Sequence, residues 1–128
     1  MLPKAITQSL VMIAVCALAA GAQEHTKDSL DTVKKAVAEK KAVLIDVREK
    51  SEWDSGHLKD ARLLPLSRLT EGAGAPDLPR DKPIYLHCAA GRRCLKAAEI
   101  LRAKGYDARP LKLGYKDLVK EGFPRAGD

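Results

Sequence analysis

The sequence predicts an α/β domain with a central, mostly parallel sheet flanked by helices. Three observations carry that expectation. Short apolar runs alternate along the chain with segments of helical periodicity, the pattern of strand–helix–strand crossovers. The runs are continuously apolar rather than alternating, as in strands covered on both faces: 42–45 reads Ala-Val-Leu-Ile and 84–86 reads Ile-Tyr-Leu. Finally, chemically capable residues, Asp46 and His87-Cys88, stand at the ends of such runs, where ligands bind in sheets of this kind. A chain of 128 residues suits one such domain.

The elements follow in order. Residues 10–20 are apolar without a charge, Lys4 precedes them, and Ala20-Gly21-Ala22 has the small-x-small pattern of a signal-peptidase site. Residues 1–22 therefore read as a cleaved signal peptide of a periplasmic or secreted protein. The apolar stretch is shorter than the ~20 residues of a membrane span, so no stable membrane association is expected after cleavage; a retained anchor is the alternative. Val15 before Cys16 speaks against lipid attachment at that cysteine. Cleavage removes Lys4 and Cys16 and leaves Cys88 and Cys94, two thiols that an oxidising compartment usually joins.

Residues 23–28 read as a short tether and 29–128 as the domain. Ser29 or Asp28 can cap a helix in which Leu30, Val33, Ala36 and Val37 recur at helical spacing up to Lys41. The first strand, 42–45, ends at Asp46. Residues 49–55 can form a short helix closed by Gly56; 61–64 form a second strand stopped by Pro65; 67–71 make another helical turn. Gly and Pro punctuate 72–83 as a surface loop. The third strand, 84–87, leads through a tight loop, 88–93, into a helix over 94–104 with Gly105 as its stop. A fourth strand, 108–111, and a helix, 114–121, complete the chain.

Net charge is +6, yet Lys and Arg are scattered and aromatics make up 4% of residues. A nucleic-acid partner is not expected on that pattern. A basic surface that draws in small anions fits better.

The informative stretch is His87-Cys88-Ala89-Ala90-Gly91-Arg92-Arg93-Cys94. Successive backbone N–H groups in so short a strand-to-helix loop can turn inward as an anion-binding nest, and the following helix adds its positive N-terminal end. Gly91 supplies the backbone freedom of the turn, and Arg92 and Arg93 add fixed charge. Such surroundings lower a thiol pKa from about 8.5 to roughly 3.5–7.5, which makes Cys88 the candidate nucleophile and Ala89, Ala90, Gly91, Arg92 and Arg93 the candidate substrate cradle.

Cys-x-x-Gly-x-Arg after an apolar strand resembles the active-site loop of rhodanese domains. Asp46-Val47-Arg48-Glu49, running on through Glu52, Trp53, Gly56, His57 and Leu58 to Ala61 and Pro65, is similar to a second block of that family, and Ala97, Ala98, Leu101, Gly105, Tyr106, Gly114 and Tyr115 to its C-terminal half. The resemblance spans about residues 29–124. It implies a three-layer fold and a persulfide mechanism: Cys88 attacks the sulfane sulfur of a small anionic donor such as thiosulfate, and a thiol or cyanide then takes it, with no metal or organic cofactor. The chain departs from the family at Ala89, where many active members carry Arg or another polar residue, which leaves the donor open. It departs too near Leu63 and Leu64, at Leu113 and at Leu118, which read as packing changes.

Other residues take supporting roles. Asp46 either positions the loop across the sheet edge or caps a turn. Arg48 and Glu52, four apart, are expected to pair as scaffold. His57 reads as structural and Trp53 as core. His87 either steadies the thiolate or alternates to the opposite face. His25 lies in the tether without an evident role. Cys94, where many relatives have Ser, is either a small helix-start residue or a thiol that resolves an oxidised Cys88 into a disulfide. Two other functions stay open: a thiol redox protein using Cys88 and Cys94, and a cysteine-dependent phosphatase. Phosphatase loops place one residue more between Cys and Arg than the four here.

Overall fold

The computed structural model describes residues 24–72 and 77–128. The segment read as a signal peptide lies outside the described residues. The chain runs α1 (Leu30–Ala38), β1 (Val43–Asp46), α2 (Lys50–Asp54), β2 (Ala61–Leu63), α3 (Leu66–Thr70), β3 (Ile84–His87), α4 (Arg93–Ala103), β4 (Ala108–Pro110) and α5 (Tyr115–Lys120). The four strands form one sheet in the order β2-β1-β3-β4, and every pairing is parallel.

Local chemistry sets the boundaries. Ser29 caps α1 by accepting the Thr32 N–H. The helix stops short of Lys41 because Lys40 takes a left-handed conformation, φ 60°, and the amides of Lys41 and Ala42 turn back onto Ala36 O. Pro65 ends the second strand and stands as N-cap of α3.

The sheet is covered on both faces, which is why its strands are apolar throughout. On one face Ile45, Val47, Leu86 and Cys88 pack against Leu69 of α3 and Cys94, Ala97, Ala98 and Leu101 of α4. On the other, Leu44, Tyr85 and Leu111 pack against Val33 and Val37 of α1, Leu118 of α5 and Phe123. Because side chains alternate along β3, Leu86 and Cys88 serve the first layer while Tyr85 and His87 point the opposite way. In register, Asp46 lies beside His87, so the C-terminal ends of the two central strands meet where the β3–α4 loop begins.

Candidate active site

The loop after β3 is fixed by backbone contacts. Cys88 O accepts the Tyr115 N–H at 2.9 Å, and the Leu95 N–H donates to Arg92 O at 3.1 Å. Gly91 has φ +82°, and a Cβ there would meet Lys112 O. Gly114 has ordinary dihedrals, but a Cβ on it would fall on top of Ala89 O. The β4–α5 connection thus lies against the loop backbone to backbone, and only glycine permits that approach.

Cys88 is 1% exposed, at the floor of this loop. The Gly91 N–H donates to its Sγ at 3.1 Å. The Cys94 S–H hydrogen bond, and after it the backbone N–H groups of Cys94, Ala90 and Gly91, pull the Cys88 pKa down to about 5 against the opposing effect of burial. Cys88 is therefore a thiolate at neutral pH, the reactive form of the thiol. The effect on Cys94 is reciprocal. Hydrogen bonding to the Cys88 sulfur and burial push its pKa far up, so it stays a thiol. Its Sγ lies 3.3 Å from both Gly91 O and Leu111 O. Of the acceptors in reach of that one proton, an ionised sulfur is the strongest. Both cysteines are free.

This arrangement makes Cys94 the donor beneath the thiolate. Cys94→Ala should raise the midpoint of Cys88 alkylation above about 5, while Cys94→Ser, which keeps a donor, should leave it close to that value. Alkylation rate against pH reads this directly; an Ala variant that titrates like the parent would remove Cys94 from the cradle.

The charged residues are arranged differently from the sequence expectation. Arg48 does not pair with Glu52. Its guanidinium makes a fork with Asp46, Nη2 to Oδ2 at 2.8 Å and Nε at 3.0 Å to both carboxylate oxygens. It also donates to Gly56 O at 2.7 Å and lies 4.3 Å from the Tyr115 ring centre. Asp46 further accepts the Arg48 N–H at 2.9 Å, so it caps the turn after β1 as well as holding the arginine. The i, i+4 rule fails at Arg48 because α2 begins only at Lys50; the pair at that spacing is Lys50–Asp54, 2.9 Å. Glu52 instead takes Arg93 in a fork of 2.6 and 2.9 Å. That hydrogen bond holds its pKa down at about 2. The same bond from Glu52 is the leading cause of the raised Arg93 pKa, to which the nearby Cys88 thiolate adds.

Ala89, Ala90 and Arg92 are exposed on the outer side of the loop. His87 is fully buried, with Nε2 3.8 Å from Asp46 Oδ2, and burial lowers its pKa so that it is neutral. Nε2 makes no hydrogen bond among the described residues. Trp53 is half-buried rather than core; it stacks on His57 at 3.6 Å between ring centres, and His57 Nδ1 lies 3.0 Å from Trp53 O. This stack gives His57 the structural role expected of it. The residue that the sequence left without a role is His25, whose Nε2 lies 2.6 Å from Gly91 O in the loop itself.

Comparisons with known proteins agree with this architecture. A family model for the rhodanese-like domain matches residues 29–121. The uncharacterized protein YqhL of Bacillus subtilis is 42% identical over 78 residues, 60% of this chain and 60% of that protein. The probable adenylyltransferase/sulfurtransferase MoeZ of Mycobacterium tuberculosis is 36% identical over 86 residues, 66% of this chain but 22% of that protein. The chain thus spans less than two thirds of the length of either relative. The human single-domain sulfurtransferase TSTD1 superposes with a TM-score of 0.63 at 27% identity, covering 73% of this chain and 95% of that one. With the family model running from the cap of α1 to the end of α5, the chain belongs to the rhodanese-like domain family.

Proposed function

We propose that the chain is a sulfurtransferase that carries sulfane sulfur on Cys88, taking it from thiosulfate or a similar small anion and passing it to a thiol or to cyanide. The observation that carries this reading is the Cys88 thiolate held at the floor of a loop of inward N–H donors. The Cys88 thiolate attacks the outer sulfur of thiosulfate, the S–S bond breaks, and sulfite leaves with the electron pair. The product is a persulfide anion, so charge is conserved and no oxidant is needed. The terminal sulfur inherits the negative charge, and backbone donors placed for a thiolate can serve it too. Attack by cyanide on that sulfur forms thiocyanate and restores the thiolate. MoeZ and TSTD1 carry the word sulfurtransferase in their names, which is consistent with this chemistry.

Mass spectrometry of the reduced protein after thiosulfate treatment tests the reading. The Cys88 peptide should gain one sulfur atom, and cyanide should remove it with release of thiocyanate. A Cys88 peptide that gains no sulfur overturns the proposal. Export belongs to the same proposal, since residues 1–22 have the signal-peptide pattern. N-terminal sequencing of the exported chain should begin at Gln23, and Met1 intact would argue for an anchor.

A further inference from the structure

The short segment before α1 is fastened at three points. The Thr26 N–H donates to Pro110 O at 2.7 Å, which lays the segment along the edge of the sheet at β4. Asp28 accepts the Tyr85 hydroxyl at 2.7 Å and Arg109 Nη1 at 2.9 Å. The hydrogen bond from Tyr85 is the leading cause of its lowered pKa. On the same strap, just ahead of these anchors, His25 reaches the loop after β3 and meets Gly91 O at 2.6 Å. A carbonyl oxygen only accepts, so Nε2 is the nitrogen that carries the proton.

The position of that bond matters more than its presence. Gly91 adopts φ +82°, one of the many backbone conformations open to glycine, so the surrounding contacts select it. Its N–H lies on the Cys88 sulfur at 3.1 Å, and its C=O begins the next, planar peptide unit. One residue therefore presents its amide to the reacting sulfur and its carbonyl to His25. Cys94 Sγ also lies 3.3 Å from that carbonyl, but its one proton serves the Cys88 sulfur, which leaves the His25 N–H to hold the carbonyl. We propose that His25 is a positioning residue for the Cys88 cradle, its ring N–H fixing the Gly91–Arg92 peptide so that the Gly91 N–H stays on the sulfur. The strap thereby becomes part of the sulfur-binding loop rather than a linker. The inference rests on the reading of Cys88 as sulfur carrier for its catalytic consequence, but not for its geometry.

Two substitutions in the otherwise unaltered protein separate the hydrogen bond from the bulk of the ring. His25→Gln can place an amide N–H where Nε2 stands; His25→Phe keeps the ring without a donor. The Phe variant should show a Cys88 alkylation midpoint raised by about half to one pH unit and persulfide formation from thiosulfate slowed about five- to tenfold. The Gln variant should match the parent in both within about twofold. Thermal unfolding of all three should coincide, which removes loss of fold as the cause. A Phe variant with the parent's alkylation midpoint, or a Gln variant as impaired as Phe, overturns the proposal. A parent protein that alkylates at low pH yet takes no sulfur overturns the sulfurtransferase reading instead, and His25 is then judged on the midpoint alone.

Discussion

Cys88→Ser should abolish sulfur transfer while leaving the domain folded. A serine hydroxyl fits the space and can accept the Gly91 N–H that now meets the sulfur at 3.1 Å. It does not ionise in the range where the Cys88 thiol does, with its pKa lowered to about 5, and it cannot hold a sulfane sulfur. Loss of a covalent nucleophile removes the reaction route rather than weakening it, so the rate should fall by roughly 10³-fold or more. Unfolding free energy at neutral pH should change by a few kcal/mol at most. The variant should also differ in its pH dependence. A thiol whose folded pKa is depressed adds stability that is complete above its unfolded value, about 8.5, and is lost as pH falls through about 5. The parent should therefore gain stability between those limits, and the Ser variant should lack that slope. Thiosulfate:cyanide assays and unfolding curves at several pH values check both expectations. Appreciable activity in a folded Ser variant would mean that another group carries the sulfur.

The parts of the site that the sequence made legible are those built from contiguous residues. Cys88, Gly91 and Arg93 fall within one loop, and a strand before it and a helix after it are enough to predict inward N–H groups. The strands were legible for a related reason: burial on both faces leaves a continuous apolar run such as Leu44-Ile45, closed by Asp46. What lay beyond reach depends on contacts between distant segments. Nothing in a polar stretch around His25 signals a bond to a residue 66 positions away. Gly114 matches a family position, but the reason for it, contact with Ala89 O, needs the β4–α5 connection in place. Glu52 and Arg93 find each other across 41 residues because α2 and the start of α4 come together at the mouth of the loop. Trp53 reads as core in the sequence, yet α2 offers no buried position, and the ring is covered by His57 instead.

The largest loss of stability should follow Asp46→Ala. Asp46 is fully buried at the end of β1, and the Arg48 side chain is 6% exposed. As a unit, such a pair gains little over apolar residues of the same volume, because removing both charges from water offsets most of their attraction. Removing one partner is different. Arg48 would keep Gly56 O and the face of Tyr115, but its buried charge would lose its hydrogen-bonded counter-ion. The Arg48 N–H would also lose its acceptor at the turn. The expected loss is about 3–5 kcal/mol, or a fall in melting temperature of at least ~12 °C in a domain of this size. The effect should extend to the cradle. Arg48 lies on the Tyr115 ring, and Tyr115 holds Cys88 O through its N–H, so a displaced Arg48 should loosen the loop and slow Cys88 alkylation at pH 6–7. The double variant Asp46→Ala with Arg48→Met should recover much of the stability, since it removes the buried charge along with its partner. Urea unfolding of the parent, both single variants and the double variant completes the cycle. A loss below about 1 kcal/mol for Asp46→Ala, or no recovery in the double variant, would show that the pair does not hold the end of β1 against the loop.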